Sequence, residues 1–231
     1  MGIKMFIKDF ISLFYPIYCL ACGKNLVKNE ECICTHCLVS LPKINFYSNE
    51  NPLMDKFIGR VYIEAAIASY YFKKGSTMQH LMHQLKYKGQ KNIGEYLGLL
   101  MGIDIMEDDT LKSIDLILPI PLHPNKIKKR GYNQSEIIAK GVQKATKKPL
   151  NTHSLVRHIE TDTQTKRSHY NRWENIHNVF KVIDPKPLEG KHILLVDDVI
   201  TTGSTLEAAT HTLLAVPNTK VSIACLAFAT F

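Results

Sequence analysis

Apolar positions in this chain recur at two different periods. The run AAIASYYF (65–72) is nearly continuous and ends in aromatics, which predicts a strand. TMQHLMHQLKYKG (77–89) spaces its apolar residues three and four apart, which predicts a helix ending near Gly89. A second helix is predicted around 94–106. IDLILPIP (114–121) is an apolar run closed by prolines; a basic stretch, LHPNKIKKRGYNQ (122–134), follows it, and then a helix over 135–147. Beyond a polar region (157–178), KHILLVDD predicts a strand over 192–196 with Asp197 and Asp198 at its end. Residues 200–205 form the loop, opening a helix over 204–215, and KVSIACLAFA (220–229) is the last strand. Apolar strands alternating with helices specify an α/β domain on a mainly parallel sheet, buried on both faces. Neither an internal repeat nor a low-complexity tract interrupts the pattern.

The first residues read differently. Met5, Phe6, Phe10, Leu13 and Phe14 give a mostly apolar face to a helix over 3–15 that packs on the protein itself. Asp9 and Pro16 interrupt any secretory pattern, and no small-residue cleavage site follows. No stretch reaches the roughly 18 uninterrupted apolar residues of a membrane span, so a cytoplasmic protein without a span is expected. An apolar share of 45% places the chain among folded globular proteins, and a formal charge of +8 favours anionic partners: phosphates, nucleic acid or acidic membrane surfaces.

Five of six cysteines lie between Cys19 and Cys37. Cys19-x-x-Cys22 and Cys34-x-x-Cys37 can converge on one tetrahedral Zn²⁺ with every position filled by protein, a structural rather than catalytic arrangement. Gly23 suits the tight turn of a metal knuckle. Cys32 is an alternative to Cys34, and His36 lies inside the second pair. A module this small has little core of its own, so metal binding supplies most of its folding energy.

The stretch ILLVDDVITTGST (193–205) carries the main chemistry. On a parallel sheet, ligands bind beyond the carboxyl ends of the strands. Amide groups at a helix start, with Gly203 allowing close approach, make a phosphate cradle, and Thr201, Thr202, Ser204 and Thr205 add hydroxyl donors. Carboxylates beside a phosphate cradle need another task, and accepting hydrogen bonds from sugar hydroxyls is the natural one. A ribose 5-phosphate meets both demands. A Walker B reading of ILLVDD needs a G-x-x-x-x-G-K-[ST] loop, and a Rossmann reading needs G-x-G-x-x-G; neither occurs, nor does a G-x-S-x-G elbow. The plainer alternative is a helix capped by Ser204 or Thr202 with solvated aspartates. His80 and His83 have metal-like helical spacing without a nearby carboxylate and read as structural.

Asp197, Asp198 and Thr201–Thr205 resemble the phosphoribosyltransferase signature. The four-cysteine module, LKYKG (85–89), LPIPLHP, KRGYNQS and the later Gln164, Arg172, Asn175 and Phe180 narrow the resemblance to the ComF/GntX family of competence-associated proteins, from about residue 14 to 229. That resemblance implies a type I phosphoribosyltransferase fold with a flexible loop over the active site, and an N-terminal four-cysteine zinc module. The implied division is 1–45 for helix and module, 46–60 for a linker and 61–231 for the phosphoribosyltransferase-like domain. It implies binding of 5-phosphoribosyl-1-pyrophosphate (PRPP) by Asp197, Asp198, Val199, Ile200, Thr201, Thr202, Gly203, Ser204 and Thr205, with Asp197 and Asp198 as catalytic acids on the ribose hydroxyls. The pyrophosphate end, with Mg²⁺, falls to Pro119, Ile120, Lys129, Arg130 and Arg172, and Lys126 and Lys128 add charge there.

Two functions are open at this stage. One is Mg²⁺-dependent transfer of phosphoribosyl from PRPP to an acceptor the sequence does not name. The other is a non-catalytic PRPP-sensing protein that binds single-stranded DNA through its basic surface and exposed aromatics such as Tyr132, working with a competence helicase or other DNA-uptake proteins.

Overall fold

The computed structural model describes residues 16–44, 51–158 and 179–229. The helix expected over 3–15 lies outside the described residues, as do Gln164, Arg172 and Asn175. Strands β1 (Ala66–Phe72), β2 (Leu116–Pro119), β5 (His192–Ile200) and β6 (Lys220–Ala229) form one sheet in the order β1-β6-β5-β2, with every neighbouring pair parallel. A separate antiparallel ribbon joins β3 (Leu155–Arg157) to β4 (Phe180–Val182).

Alternate residues of the buried strands serve opposite faces. Ile117, Leu194, Val196 and Leu226 share a core with helices α3 (Thr77–Tyr87), α4 (Lys91–Glu107) and α6 (Gln134–Thr146). Leu116, Leu118, Ile193, Leu195 and Ile223 share the other with helix α7 (Ser204–Leu214). Leu53, within the short helix α2 (Pro52–Asp55), and Phe57, just after it, are fully buried in this second core.

The chain lays β1 at one edge, crosses to β2 at the other, and places a parallel bridge, Ile117 to Leu150, still further out. It then turns back to β5 and β6. The winding reverses between β2 and β5, and the crevice at the carboxyl ends of two such strands is where an open parallel sheet takes ligands. Helix α6 reaches that crevice because it crosses α4 at backbone contact. A Cβ on Gly98 would lie 2.2 Å from the Ile138 carbonyl oxygen, and one on Gly141 would lie 2.1 Å from that of Glu95. No side chain fits at either position.

Two elements differ from expectation. Residues 124–130 form a helix, α5 (Pro124–Arg130), with Pro124 in its first turn, the His123 ring accepting from the Asn125 amide, and Gly131 closing it at φ +81°. Its apolar signal is a single residue, Ile127, which is why periodicity overlooks it. Strand β5 continues four residues beyond Val196, to Ile200. Val199 and Ile200 each find one of the two cores and pair in register with Ala227 and Phe228 of β6, so pairing carries on past the carboxylates.

The cysteine module, which holds the short helix α1 (Thr35–Val39), is joined to the free edge of β1. The Ile44 amide donates to the Ser69 carbonyl at 2.9 Å and the Tyr71 amide to that of Pro42 at 2.8 Å. Cys19, Cys32, Ile33, Cys34, Cys37 and Leu41 belong to the same core as α3 and α4. Among the described residues, no helix is long and apolar enough to cross a membrane.

Candidate functional site

Three residues, Thr201, Thr202 and Gly203, separate β5 from α7. Gly203 takes φ +81°, a left-handed conformation that costs a side-chain-bearing residue strain, and it is the residue preceding the helix. No side chain caps α7, against the plainer alternative of a Ser204 or Thr202 cap. The Thr202 hydroxyl instead meets the Ser204 hydroxyl at 3.1 Å and only grazes the Ser204 amide at 3.5 Å. Residues 199–206 and Asp197 line one small hollow, into which the helix presents its uncapped first turn. A helix start with unsatisfied amides and a positive dipole end is an anion site.

Arg60 braces this turn, and nothing in the sequence pattern announces it. Its guanidinium donates to the Thr202 carbonyl at 2.9 Å and pairs with Glu207 in the first turn of α7. Its own carbonyl meets the His211 ring at 3.0 Å. The Phe57 ring lies 3.5 Å from where a Cβ on Gly203 would be.

Asp197 lines the hollow and Asp198 follows it on β5, each already partnered. Asp197 accepts from the Ser135 hydroxyl and from the Asp198 amide, both at 2.8 Å. Burial, and then the charge of Asp198, push its carboxyl up to about 7 despite these bonds and the nearby ammonium of Lys86. Asp198 pairs with Lys86 at 2.8 Å, the two side chains being 14% and 23% exposed. Ser135 and Lys86 sit in KRGYNQS and LKYKG, so the motifs mark their positions, but their contact with the acids emerges only in three dimensions.

The other wall of the crevice follows β2. Pro119 pairs with Val196. Ile120 is buried, its amide donates to the Val196 carbonyl at 2.8 Å, and its carbonyl accepts from Asn133 at 2.9 Å. Both backbone groups of Ile120 are therefore committed to holding β2, β5 and the start of α6 together. Arg130 lies over the Tyr87 ring, 5.5 Å from its centre, and donates to Gln134 at 3.0 Å. Lys129 is exposed in the last turn of α5. Tyr132 is half-buried rather than exposed, because its hydroxyl donates to the Leu85 carbonyl and Lys91 covers its ring at 4.7 Å. Tyr87, 60% exposed, is the aromatic that the surface offers here.

In the module, the thiols of Cys19, Cys22, Cys34 and Cys37 all lie within 4.8 Å of one another. Four sulfurs placed 2.3 Å from one tetrahedral Zn²⁺ would be about 3.8 Å apart, and Cys22 and Cys34 stand at 3.8 Å. The Cys34 amide donates to Cys19 Sγ at 3.3 Å, and Gly23 turns the first knuckle at φ +73°. These residues fit a metal such as zinc. Cys32 is excluded from the cluster: it is buried against the Asn92 carbonyl at 3.9 Å, and burial pushes its thiol up to about 12. His36 is exposed and is not part of it.

The phosphoribosyl transferase domain family matches residues 127–230. The chain is 30% identical over 149 residues to the DNA utilization protein YhgH of Escherichia coli O157:H7, covering 63% of this chain and 65% of that protein, just under two thirds of its length. It is 26% identical over 215 residues to Competence protein F of Haemophilus influenzae, covering 84% of this chain and 89% of that one. A solved glutamine PRPP amidotransferase from B. subtilis overlaps 62% of this chain and 30% of its own at 18% identity, with a TM-score of 0.43, too loose an overlap to argue from. By the domain match and the named relatives the chain is similar to ComF-type phosphoribosyltransferase-like proteins, and its parallel sheet flanked by helices is the corresponding fold.

Proposed function

We propose that this protein binds PRPP in the crevice between β2 and β5 and transfers its phosphoribosyl group to an acceptor, in the service of DNA uptake. The observation that carries the reading is the uncapped start of α7 placed beside two carboxylates at the reversal point of the sheet. The amides of the first turn and the hydroxyls of Thr201, Thr202, Ser204 and Thr205 take the 5′-phosphate. Asp197 and Asp198 accept from the ribose hydroxyls. Transfer breaks the bond from C1 to the pyrophosphate oxygen, whose electron pair leaves with pyrophosphate. A lone pair of the acceptor forms the new bond to C1, and the acceptor's proton passes to solvent. The acids favour the positive charge that develops on the sugar.

Mg²⁺, a hard cation that takes oxygen ligands, suits the carboxylate end of this crevice and when bound neutralises charge on the leaving group. Zn²⁺ held by Cys19, Cys22, Cys34 and Cys37 would have no open position and would fasten the module to β1 and α4 rather than take part in chemistry. The division we assign is 1–45 for the module and 46–231 for the phosphoribosyltransferase-like unit of a cytoplasmic protein, because Leu53, Phe57 and Arg60 of the expected 46–60 linker pack in that unit's core or brace its turn before α7.

One observation favours a second reading, in which PRPP is sensed and single-stranded DNA is bound. Exposed Tyr87, with Arg130 over its ring and Lys128 and Lys129 on α5, joins a stacking surface to cations, the combination that single strands use. The names of the relatives, DNA utilization protein and Competence protein F, point the same way. Calorimetric titration with PRPP and Mg²⁺ tests the pocket common to both readings. Asp197→Asn with Asp198→Asn should weaken binding at least about a hundredfold, since two hydrogen bonds to charged groups are lost. Unchanged affinity would remove the acids from the site.

A further inference from the structure

Among the described residues Lys86 is the cation paired with the acids, and the sugar reading leaves it without a task. It ends α3, whose apolar positions Met78, Leu81, Met82 and Leu85 are buried, so the helix is fixed and its last turn is aimed at the crevice. That last turn is tied to the opposite wall. The Tyr132 hydroxyl donates to the Leu85 carbonyl, and Arg130 lies over the Tyr87 ring. Lys86 therefore stands between two structures: Asp198 near the end of β5, and residues 130–132, where α5 ends and the chain turns into α6.

In the ligand-free protein its ammonium is bound to Asp198 at 2.8 Å. A ribose diol that donates to Asp198 competes for the same carboxylate. A mostly buried ammonium that loses its carboxylate is costly unless it finds another anion. Ribose 5-phosphate brings no anion to that side, because its phosphate is taken at α7. PRPP brings a second anionic group on C1, beside the diol and on the side of β2.

Resting on the PRPP reading above, we propose that Lys86 is a leaving-group ligand held in reserve: it pairs with Asp198 in the empty site and passes to the pyrophosphate when PRPP displaces it. The exchange keeps the number of ion pairs constant for PRPP and lowers it by one for ribose 5-phosphate. Lys86 thereby becomes a determinant of selectivity for the pyrophosphorylated sugar over the plain phosphate.

The test is calorimetric titration of full-length wild type, Lys86→Met and Lys86→Arg with PRPP and, separately, with ribose 5-phosphate, each with Mg²⁺. Circular dichroism melting confirms that the variants fold. Lys86→Met should weaken PRPP binding by about ten- to a hundredfold, the range for a hydrogen bond between charged groups. Binding of ribose 5-phosphate should hold or tighten, and Lys86→Arg should recover most of the PRPP affinity. A loss shared equally by both ligands would show that Lys86 only props up the acids, and no loss of PRPP affinity would remove it from the ligand; either outcome overturns the proposal. A wild-type protein that binds neither sugar would instead overturn the pocket reading, and the inference with it.

Discussion

The two ends of the crevice are built in opposite ways. The end assigned to the 5′-phosphate is a single continuous segment, Asp197 to Thr205, in which a strand, a left-handed glycine and an uncapped helix follow one another. The end assigned to pyrophosphate is assembled from residues far apart in sequence: Lys86 from α3, Pro119 from β2 and Arg130 from the end of α5, with Tyr87 and Tyr132 tying α3 to the residues that follow β2. A continuous site keeps its geometry wherever its local backbone forms. A convergent site exists only when helices pack correctly, here through the glycine-on-backbone crossing of α4 and α6. The first should fail by local change and the second by loss of a single partner.

The largest effect expected is at the continuous end. Gly203→Val puts a β-branched side chain at φ +81°, about 3.5 Å from the Phe57 ring, and strain of about 1–3 kcal/mol forces the turn to rearrange. Affinity for ribose 5-phosphate should fall beyond calorimetric detection while the melting temperature drops only by several degrees. Retained binding would mean that the amides of this turn do not hold the phosphate.

A smaller and subtler effect belongs to Asp197, where the two ends meet. Its folded carboxyl sits at about 7, above the 3.8 of an ordinary aspartate, so the native state holds a proton that the unfolded chain has lost. Stability contributed by this group is therefore full below about 3.8 and declines as pH rises through the window up to about 7. Asp197→Asn, which can still accept from Ser135 and the Asp198 amide, should raise the melting temperature by a few degrees at pH 8 and hardly at all at pH 4. An equal shift at both values would show that the carboxyl titrates normally.

Legibility in the sequence follows the same division. The four-stranded sheet was readable because its strands are uninterrupted apolar runs, and the turn between β5 and α7 because its residues are adjacent. Cys34 rather than Cys32 was readable from x-x spacing, and the cluster of four thiols agrees. Helix α5 was not, since Lys126, Lys128, Lys129 and Arg130 leave one apolar residue to mark a face. Arg60 was not either: its hold on Thr202 and Glu207 spans more than 140 residues of chain. Tyr132 was misread as exposed because its burial depends on Leu85 and Lys91, which only the fold brings to it.

Hydrogen–deuterium exchange of the full-length protein, with and without each sugar, tests the two-ended account most directly. Ribose 5-phosphate should slow exchange in peptides covering 201–207 and leave 124–134 unchanged, whereas PRPP with Mg²⁺ should protect both. Protection of 124–134 by ribose 5-phosphate, or none at 201–207 with either ligand, would contradict the assignment of the phosphate to the start of α7.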